Sequence, residues 1–107
     1  MTSLASRACA PCKGEEGKLS PAEIKAHLVA LPAWQHGGDR ITRRFTFKNF
    51  VQALAFVNQL GEVAEEQGHH PDLTLGWGYV GVTLTTHDCG GLSLNDMIMA
   101  AKIDALV

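Results

Sequence analysis

The sequence predicts an α+β fold, a two-layer α/β sandwich in which one four-stranded antiparallel sheet has its helices on one face. Apolar and polar residues alternate in the short segments 41–47, 73–77 and 80–84, as they do in strands with one buried face. Three other segments repeat apolar residues with the helical period instead. The predicted element order is α-β-β-α-β-β-α, and the two β-β-α units suggest a structural repeat.

The first helix begins with a capping box. Ser20 offers the N-cap hydroxyl, Pro21 suits the first helical position, and Glu23 stands at the third. We expect this helix to continue to about Leu31, because Pro32 cannot extend it.

A hairpin follows the first helix. Residues 34–36 predict a short strand, the segment 37–39 (Gly-Gly-Asp) predicts its turn, and residues 41–47 predict the returning strand. Arg43 interrupts the inward-facing series of that strand. We therefore expect Arg43 either to reach the sheet edge or to contact a partner or ligand.

The second helix is predicted over residues 47–67, and Gly68 is typical of the residue that ends a helix. Its apolar face contains Phe50, Leu54, Val57, Leu60 and Ala64, and it is widened by Phe56 and Val63. So broad a face exceeds what one side of a small sheet needs. The pattern therefore predicts self-association as a homodimer or homotetramer.

The last three elements are a second hairpin and a C-terminal helix. The hairpin joins 73–77 to 80–84, and two consecutive glycines at 90–91 then interrupt the chain. Ser93 and Asp96 are placed to cap the last helix. Its predicted apolar stripe contains Leu94, Met97 or Ile98, Ala101 and Ala105.

Composition and length narrow the classes of function. A chain of 107 residues fits one domain, which we place at 19–107, whereas residues 1–18 lack periodicity and predict a flexible arm. The net charge of −2 argues against binding to nucleic acid or to an anionic membrane. No apolar run is long enough to span a bilayer. Three cysteines, an odd number, favour a reducing cytoplasm over a disulfide framework.

Cys9 and Cys12 form a C-x-x-C pair, which both redox enzymes and zinc sites use. A thioredoxin-type pair should begin a helix after a strand, and this pair lies in an unpatterned segment. A structural zinc would need two further ligands, and Cys89 is the only other cysteine. We interpret the pair as part of a dispensable arm and expect no metal site.

Titratable residues concentrate between positions 65 and 96. Three of the five histidines lie there, at His69, His70 and His87, together with Glu65 and Asp96. These positions belong to a helix end, a strand end and a helix start, which commonly gather at one rim of a two-layer sandwich. Histidine titrates near neutral pH, so such a group can both donate and accept protons.

Local geometry separates a proton-transfer site from a metal site. Glu65 and His69 are four residues apart, so we expect them to share a helix face. His70 precedes Pro71, which forces an extended backbone. His69 and His70 should therefore point in different directions, and they are poorly spaced to chelate one metal ion.

The same residues resemble the signature of a known family, the pterin-4a-carbinolamine dehydratases. The similar pattern reads Glu65-x3-His69-His70-Pro71-x5-Trp77-x9-His87-x8-Asp96. Thr86-His87-Asp88 with the following Gly90-Gly91-Leu92 resembles a second block, and Trp34 with Phe45-x-Phe47 and Phe50 resembles a first. The resemblance covers about residues 20–106.

The resemblance implies a dehydratase that converts 4a-hydroxytetrahydrobiopterin, or a bacterial equivalent, to quinonoid dihydropterin and water. It links the enzyme to an aromatic amino acid hydroxylase and requires no metal or redox cofactor. It implies catalytic roles for His69, His70 and His87, and orienting or substrate-binding roles for Glu65, Pro71, Trp77, Asp96 and Trp34. Two alternatives remain: a non-catalytic oligomerisation or regulatory module on this fold, and a dehydratase-like protein of another pterin pathway, such as molybdopterin metabolism.

Overall fold

The computed structural model describes residues 4–10 and 17–107. Its main elements are α1 (Pro21–Leu28), β1 (Gln35–Gly37), β2 (Arg40–Thr46), α2 (Phe50–Gln67), β3 (Asp72–Gly76), β4 (Tyr79–Leu84) and α3 (Leu94–Asp104). Short 3-10 turns occupy Leu4–Ser6 and His87–Cys89. The strands form one antiparallel sheet in the order β1-β2-β4-β3. The predicted α+β fold and element order are confirmed.

The hydrophobic core lies between one face of the sheet and the helices. The register of β2 and β4 pairs Ile41 with Leu84 and Phe45 with Val80, and all four side chains are buried. The opposite sheet face carries the polar members of the alternating series. Within the described part of the chain, no helix is both long and apolar enough to cross a membrane.

The start of α1 is the predicted capping box. The Glu23 backbone N–H donates to Ser20 Oγ at 3.2 Å, and the Ser20 backbone N–H donates to Glu23 Oε1 at 3.0 Å. The helix ends at Leu28 rather than at the expected Leu31. Because Pro32 follows, the chain tightens into turns in which Leu31 N–H donates to the Leu28 carbonyl at 3.0 Å.

The sequence placed the start and the inner face of α2 incorrectly. The helix begins at Phe50 rather than at residue 47, because the Asn49 side chain caps it by accepting from the Gln52 N–H at 2.9 Å. Phe50 and Leu54, expected on the core stripe, are 42% and 41% exposed. The buried positions are Ala53, Phe56, Leu60 and Ala64.

Aromatic packing explains this rotation of α2. The ring of Phe56 lies 4.7 Å from that of Phe45 and 5.0 Å from that of Phe47, measured between ring centroids. Because the rings of Phe45 and Phe47 contact Phe56, the helix turns that position toward the sheet. Leu54 is turned outward as a result.

α3 is buried on nearly every side, so its predicted single stripe is incomplete. One side contacts the sheet and α2, and residues 4–10 cover another, with Leu4 and Cys9 packed against the core. A helix that is covered on two sides has apolar residues around its whole circumference. Its buried apolar residues are Met97, Ile98, Met99, Ala100 and Ile103.

Residues 4–10 have a defined place, although the sequence predicted that they belong to a flexible arm. Lys102 Nζ on α3 donates to the Ala5 carbonyl at 2.8 Å. Lys18 forms an isolated β-bridge with Ser93. Cys12 lies outside the described residues, so flexibility of the segment 1–18 as a whole stays a prediction.

The positive charge of Arg43 is compensated by an ion pair within the chain. Its Nη1 donates to Asp104 Oδ1 at 2.6 Å, and Trp34 Nε1 donates to the same oxygen at 2.9 Å. The guanidinium carbon also lies 4.2 Å from the centroid of the Phe45 ring. The break in the alternating series of β2 is therefore explained by an internal ion pair with the end of α3, and neither an edge position nor a partner is needed.

Candidate active site

The buried centre of the candidate site is a hydrogen bond between Asp96 and His69. Asp96 lies in the first turn of α3, is fully buried, and accepts from His69 Nε2 through Oδ1 at 2.6 Å. Its other oxygen accepts from Thr86 Oγ1 at 2.7 Å and from the Ser93 backbone N–H at 3.0 Å. Three donors thus compensate a carboxylate that has lost contact with water.

The hydroxyl groups give this network a direction. Thr86 has a single hydroxyl proton and donates it to Asp96, so the Ser93 hydroxyl must donate to Thr86 Oγ1 across 2.8 Å. Among the described residues, no buried side-chain nitrogen or oxygen lacks a partner. A fully satisfied buried network fixes its side chains, and here it fixes the carboxylate that orients His69.

The end of α2 determines where the two adjacent histidines point. Gly68 ends the helix in the left-handed conformation, with a φ of 65°, so His69 leaves the helix and turns toward Asp96. The expectation that His69 shares a face with Glu65 is therefore wrong. Glu65 instead contacts His70, with 2.5 Å between Oε2 and Nε2, and both side chains are exposed.

Each of these histidines has a carboxylate at the same ring nitrogen. A carboxylate can only accept, so His69 and His70 each place a proton on Nε2, and a ring in its neutral form then keeps a lone pair at Nδ1. Nδ1 can accept a proton from a neighbouring molecule and return it once the ring is charged. The two rings differ in environment, because His69 is 13% exposed whereas His70 is 61% exposed.

A cavity of about 370 Å³ lies beside His69. It falls within the range of roughly 300–1,000 Å³ that is typical of small-molecule sites. A second depression of about 390 Å³ lies on the outer sheet face and has no histidine among its described lining residues. We therefore place the candidate site at the cavity beside His69. The lining residues of that cavity are Cys9, Ala10, Gln67, Gly68, His69, Thr86, Asp88 and Asn95.

His87 lies beside this cavity rather than on its wall. It begins the 3-10 turn after β4 and is exposed, while its chain neighbours Thr86 and Asp88 both line the cavity. In the described part of the chain, no group of three or more histidine, cysteine or acidic side chains is arranged to hold a metal ion.

The remaining predicted site residues lie in different parts of the fold. Pro71 directly follows His70 and precedes β3. Trp77 is 73% exposed in the turn between β3 and β4. Trp34 is buried in the core, with its ring edge-on to that of Phe45 at 6.3 Å. Neither tryptophan is among the described residues that line the cavity at His69.

Sequence reasoning missed several residues of this site. Thr86, which holds Asp96, precedes His87 in the block that carried the family resemblance, so its position could have been noted there. Gln67 and Asn95 have no such signal, because an amide near a helix end is usually a surface residue. The cavity wall at Cys9 and Ala10 could not be found from a segment without periodicity.

The fold and the geometry of the site define the general class of protein. It is a small α+β domain with a histidine–carboxylate arrangement suited to proton transfer beside a small-molecule cavity. The sequence profile of the family described as pterin 4 alpha carbinolamine dehydratase matches residues 17–106. The chain therefore belongs to this family, which confirms the resemblance carried by the histidine signature.

Relatives at high identity share this family name. A protein of Aromatoleum aromaticum, provisionally named pterin-4-alpha-carbinolamine dehydratase, is 49% identical over 105 residues, which cover 96% of this chain and 94% of the relative. One of Halorhodospira halophila, with the same provisional name, is 46% identical over 106 residues and 97% of each chain.

Two solved structures are also similar. The transcriptional coactivator/pterin dehydratase of Brucella melitensis superposes with a TM-score of 0.78 at 39% identity, over 82% of this chain and 96% of that one. A pterin dehydratase-like protein identified as a RuBisCO assembly factor in the alpha-carboxysome gives a TM-score of 0.58 at 32% identity, over 68% of this chain and 84% of that one. Similar chains therefore carry different functional descriptions.

Proposed function

We propose that this chain is a dehydratase that converts 4a-hydroxytetrahydropterin to quinonoid dihydropterin and water by histidine acid–base chemistry. The product would re-enter the pterin cycle of an aromatic amino acid hydroxylase. The observation that carries the proposal is the His69–Asp96 pair, which presents an oriented imidazole to a small-molecule cavity. Membership of the family supports the choice of a pterin.

The reaction needs one proton delivered and one proton removed. The bond between C4a and the hydroxyl oxygen breaks, and the departing hydroxyl takes a proton and leaves as water. N5 loses its proton, and the electron pair of that N–H bond forms the new C4a–N5 double bond. No electron is exchanged with another molecule, so a positioned acid and a positioned base are sufficient.

The two histidine pairs suit these two tasks. His69, held by buried Asp96, accepts the N5 proton at Nδ1. His70, paired with exposed Glu65 through Nε2, acts in its charged form, in which Nδ1 carries a second proton that it delivers to the departing hydroxyl, and His87 serves the same task from the rim of the cavity. Oriented carboxylates keep each imidazole in one tautomer, which is the role that we assign to Asp96 and Glu65.

Binding roles belong to the same proposal. Pro71 fixes the backbone next to His70. Trp77 offers an exposed ring, and we propose that it contacts the pterin. The contribution of Trp34 would be indirect, because its indole lies in the core and donates to Asp104.

Turnover of enzymatically generated 4a-hydroxytetrahydropterin tests the proposal. We expect His69→Ala, His70→Ala and His87→Ala each to lower kcat at least about tenfold, since positioned acid–base groups contribute roughly 10²–10⁴-fold. His36→Ala is the matched control, because His36 is exposed in the first hairpin, where its Nε2 lies 2.8 Å from the Gly38 carbonyl. If two of the three site variants keep the wild-type rate, the assignment of roles is wrong.

A non-catalytic assembly module is the second candidate. It is favoured by the exposed apolar residues at the start of α2, where Val51 is 74% exposed beside the half-exposed Phe50 and Leu54, and by the RuBisCO assembly factor of similar fold. Pure protein that fails to accelerate dehydration, with its fold intact by circular dichroism, would favour this candidate. Activity confined to the substrate of another pterin pathway would change the physiological substrate but not the chemistry.

We also propose that the chain forms a homodimer or homotetramer in the cytoplasm. The apolar patch of Phe50, Val51 and Leu54 lies outside the core, and Gly61 on α2 faces open space, so another helix could approach closely there. β3 is an edge strand of the sheet and offers backbone groups for pairing. Cys9 and Cys89 form no disulfide with each other, which fits a reducing compartment.

A further inference from the structure

The segment 4–10 is attached beside the catalytic cavity by hydrogen bonds to both flanking helices. The Asn95 side chain exchanges two bonds with Ala10: the Ala10 N–H donates to Oδ1 at 2.9 Å, and Nδ2 donates to the Ala10 carbonyl at 2.6 Å. The Cys9 N–H donates to Gln67 Oε1, at the end of α2, at 2.9 Å. Cys9 and Ala10 are the residues of the segment that line the cavity, and the Cys9 thiol donates to the Asn95 carbonyl at 3.7 Å.

We propose that residues 9–10 form a substrate-binding wall of the active site, with Asn95 as the residue that positions this wall. The inference rests on the proposed function. The wall and His69 line the same cavity, so a pterin that fills this cavity beside His69 would also contact Cys9 and Ala10.

This wall is additional to the shared core of the family. The family profile begins at residue 17, and the wall lies ahead of that point in the chain. The catalytic residues His69, His70 and His87 all lie within the profile. The wall therefore adds contact area to a site whose chemistry is supplied elsewhere.

The groups on the wall indicate what it contributes. The backbone N–H groups of Cys9 and Ala10, the Ala10 carbonyl and the Cys9 thiol are already used in holding the segment, so the wall presents a mainly apolar surface to a ligand. Such a surface removes ligand area from water and excludes solvent, but it does not transfer protons. The wall should accordingly affect pterin affinity and KM, and leave kcat nearly unchanged.

Protection of Cys9 from alkylation tests the contact directly. The experiment uses the full chain with Cys12→Ser, so that Cys9 and the buried Cys89 are its only thiols. Burial raises the pKa of the Cys9 thiol, an effect opposed by Lys102 and reinforced by Asp96, so iodoacetamide labelling is carried out at alkaline pH.

Binding and labelling are measured in parallel, with 7,8-dihydrobiopterin as the probe. Calorimetry gives its affinity, and mass spectrometry of the peptides follows each thiol. We expect saturating pterin to slow the labelling of Cys9 roughly tenfold or more, because only the unliganded fraction then reacts. Labelling of Cys89 should stay slow with and without the ligand.

A substitution of Asn95 tests whether this residue positions the wall. Asn95→Ala removes both bonds to Ala10 and leaves the histidines intact. We expect the dissociation constant for dihydrobiopterin and the KM to rise roughly tenfold, about the effect of losing one or two hydrogen bonds, with kcat changed less than about twofold. The control is Gln59→Ala, which removes an exposed amide on α2 outside the described cavity lining and should change neither constant.

The outcomes separate the two claims. If the wild-type chain binds no pterin, the proposed function fails and the wall fails with it. If pterin binds but Cys9 is labelled at an unchanged rate, or if Asn95→Ala binds pterin as the wild type does, the wall is refuted while the dehydratase proposal stands. A fall in kcat with unchanged KM in Asn95→Ala would also overturn the role assigned to the segment.

Discussion

Replacing Asp96 by asparagine should reverse the tautomer of His69. The amide has the shape of the carboxylate but only one accepting oxygen. If that oxygen keeps the bonds from Thr86 and from the Ser93 N–H, the amide nitrogen faces His69 Nε2. The opposite orientation would place two buried N–H donors against each other at Ser93, which costs about 1–3 kcal/mol. The first orientation is therefore favoured.

This change affects Nδ1, the ring nitrogen that accepts the N5 proton in the proposed mechanism. An amide donor at Nε2 requires a lone pair there, so His69 moves its proton to Nδ1. Nδ1 then cannot accept the N5 proton, and the base is lost although no atom of His69 has been removed. We expect kcat to fall about 10²–10⁴-fold, which corresponds to about 3–5 kcal/mol of activation free energy.

Two measurements check this prediction. Stopped-flow turnover gives the rate, and the ¹⁵N resonances of the His69 ring report which nitrogen carries the proton. Asp104→Asn is the matched control, because Asp104 also accepts two side-chain bonds, from Trp34 and Arg43, but lies outside the described cavity lining. It should lower thermal stability and leave kcat unchanged. Turnover of Asp96→Asn within about threefold of wild type, or a proton still on Nε2, would refute the reasoning.

Two further predictions concern the cap of α1 and the surface of α2. Ser20→Ala should lower the free energy of unfolding by about 1 kcal/mol, measured by urea denaturation. The hydrogen bond from the Ser20 backbone N–H, aided by the Ser20 hydroxyl, lowers the pKa of Glu23, so this carboxylate stabilises the fold above its unfolded-state pKa and loses that effect as the pH falls through its folded-state pKa. The variant keeps the backbone N–H and loses only the contribution of the hydroxyl, so the difference in the free energy of unfolding between wild type and variant should narrow slightly on acidification. A difference that grows on acidification would contradict the capping argument. Leu54→Glu should shift the sedimentation coefficient toward that of an 11.5 kDa monomer. Gln59→Glu, on another exposed side of α2, should not change it. A wild-type chain that sediments as a monomer would refute the assembly proposal.

The sequence predicted those parts of the fold that depend on local signals. The capping box at Ser20, the alternation in β2 and β4, and the helix-ending Gly68 each act within a few residues, and all three are found as expected. The face of α2 could not be predicted in this way. It depends on Phe45 in β2 and on Phe47 just after it, which contact Phe56, and a periodic pattern does not say which apolar positions of the helix such rings will cover.

The candidate site shows the same division between local and long-range causes. The histidines and acids of the candidate site were identified from the sequence, but their pairing was predicted incorrectly, because helical spacing linked Glu65 to His69. The left-handed Gly68 ends the helix one residue before His69, and this single change of backbone direction exchanges the partners. His69 then contacts the buried acid and His70 the exposed one. In the proposed mechanism, the base that must keep one tautomer is held in the buried network, and the acid that must exchange protons with water lies at the surface. The turn at Gly68 would therefore separate the two proposed roles.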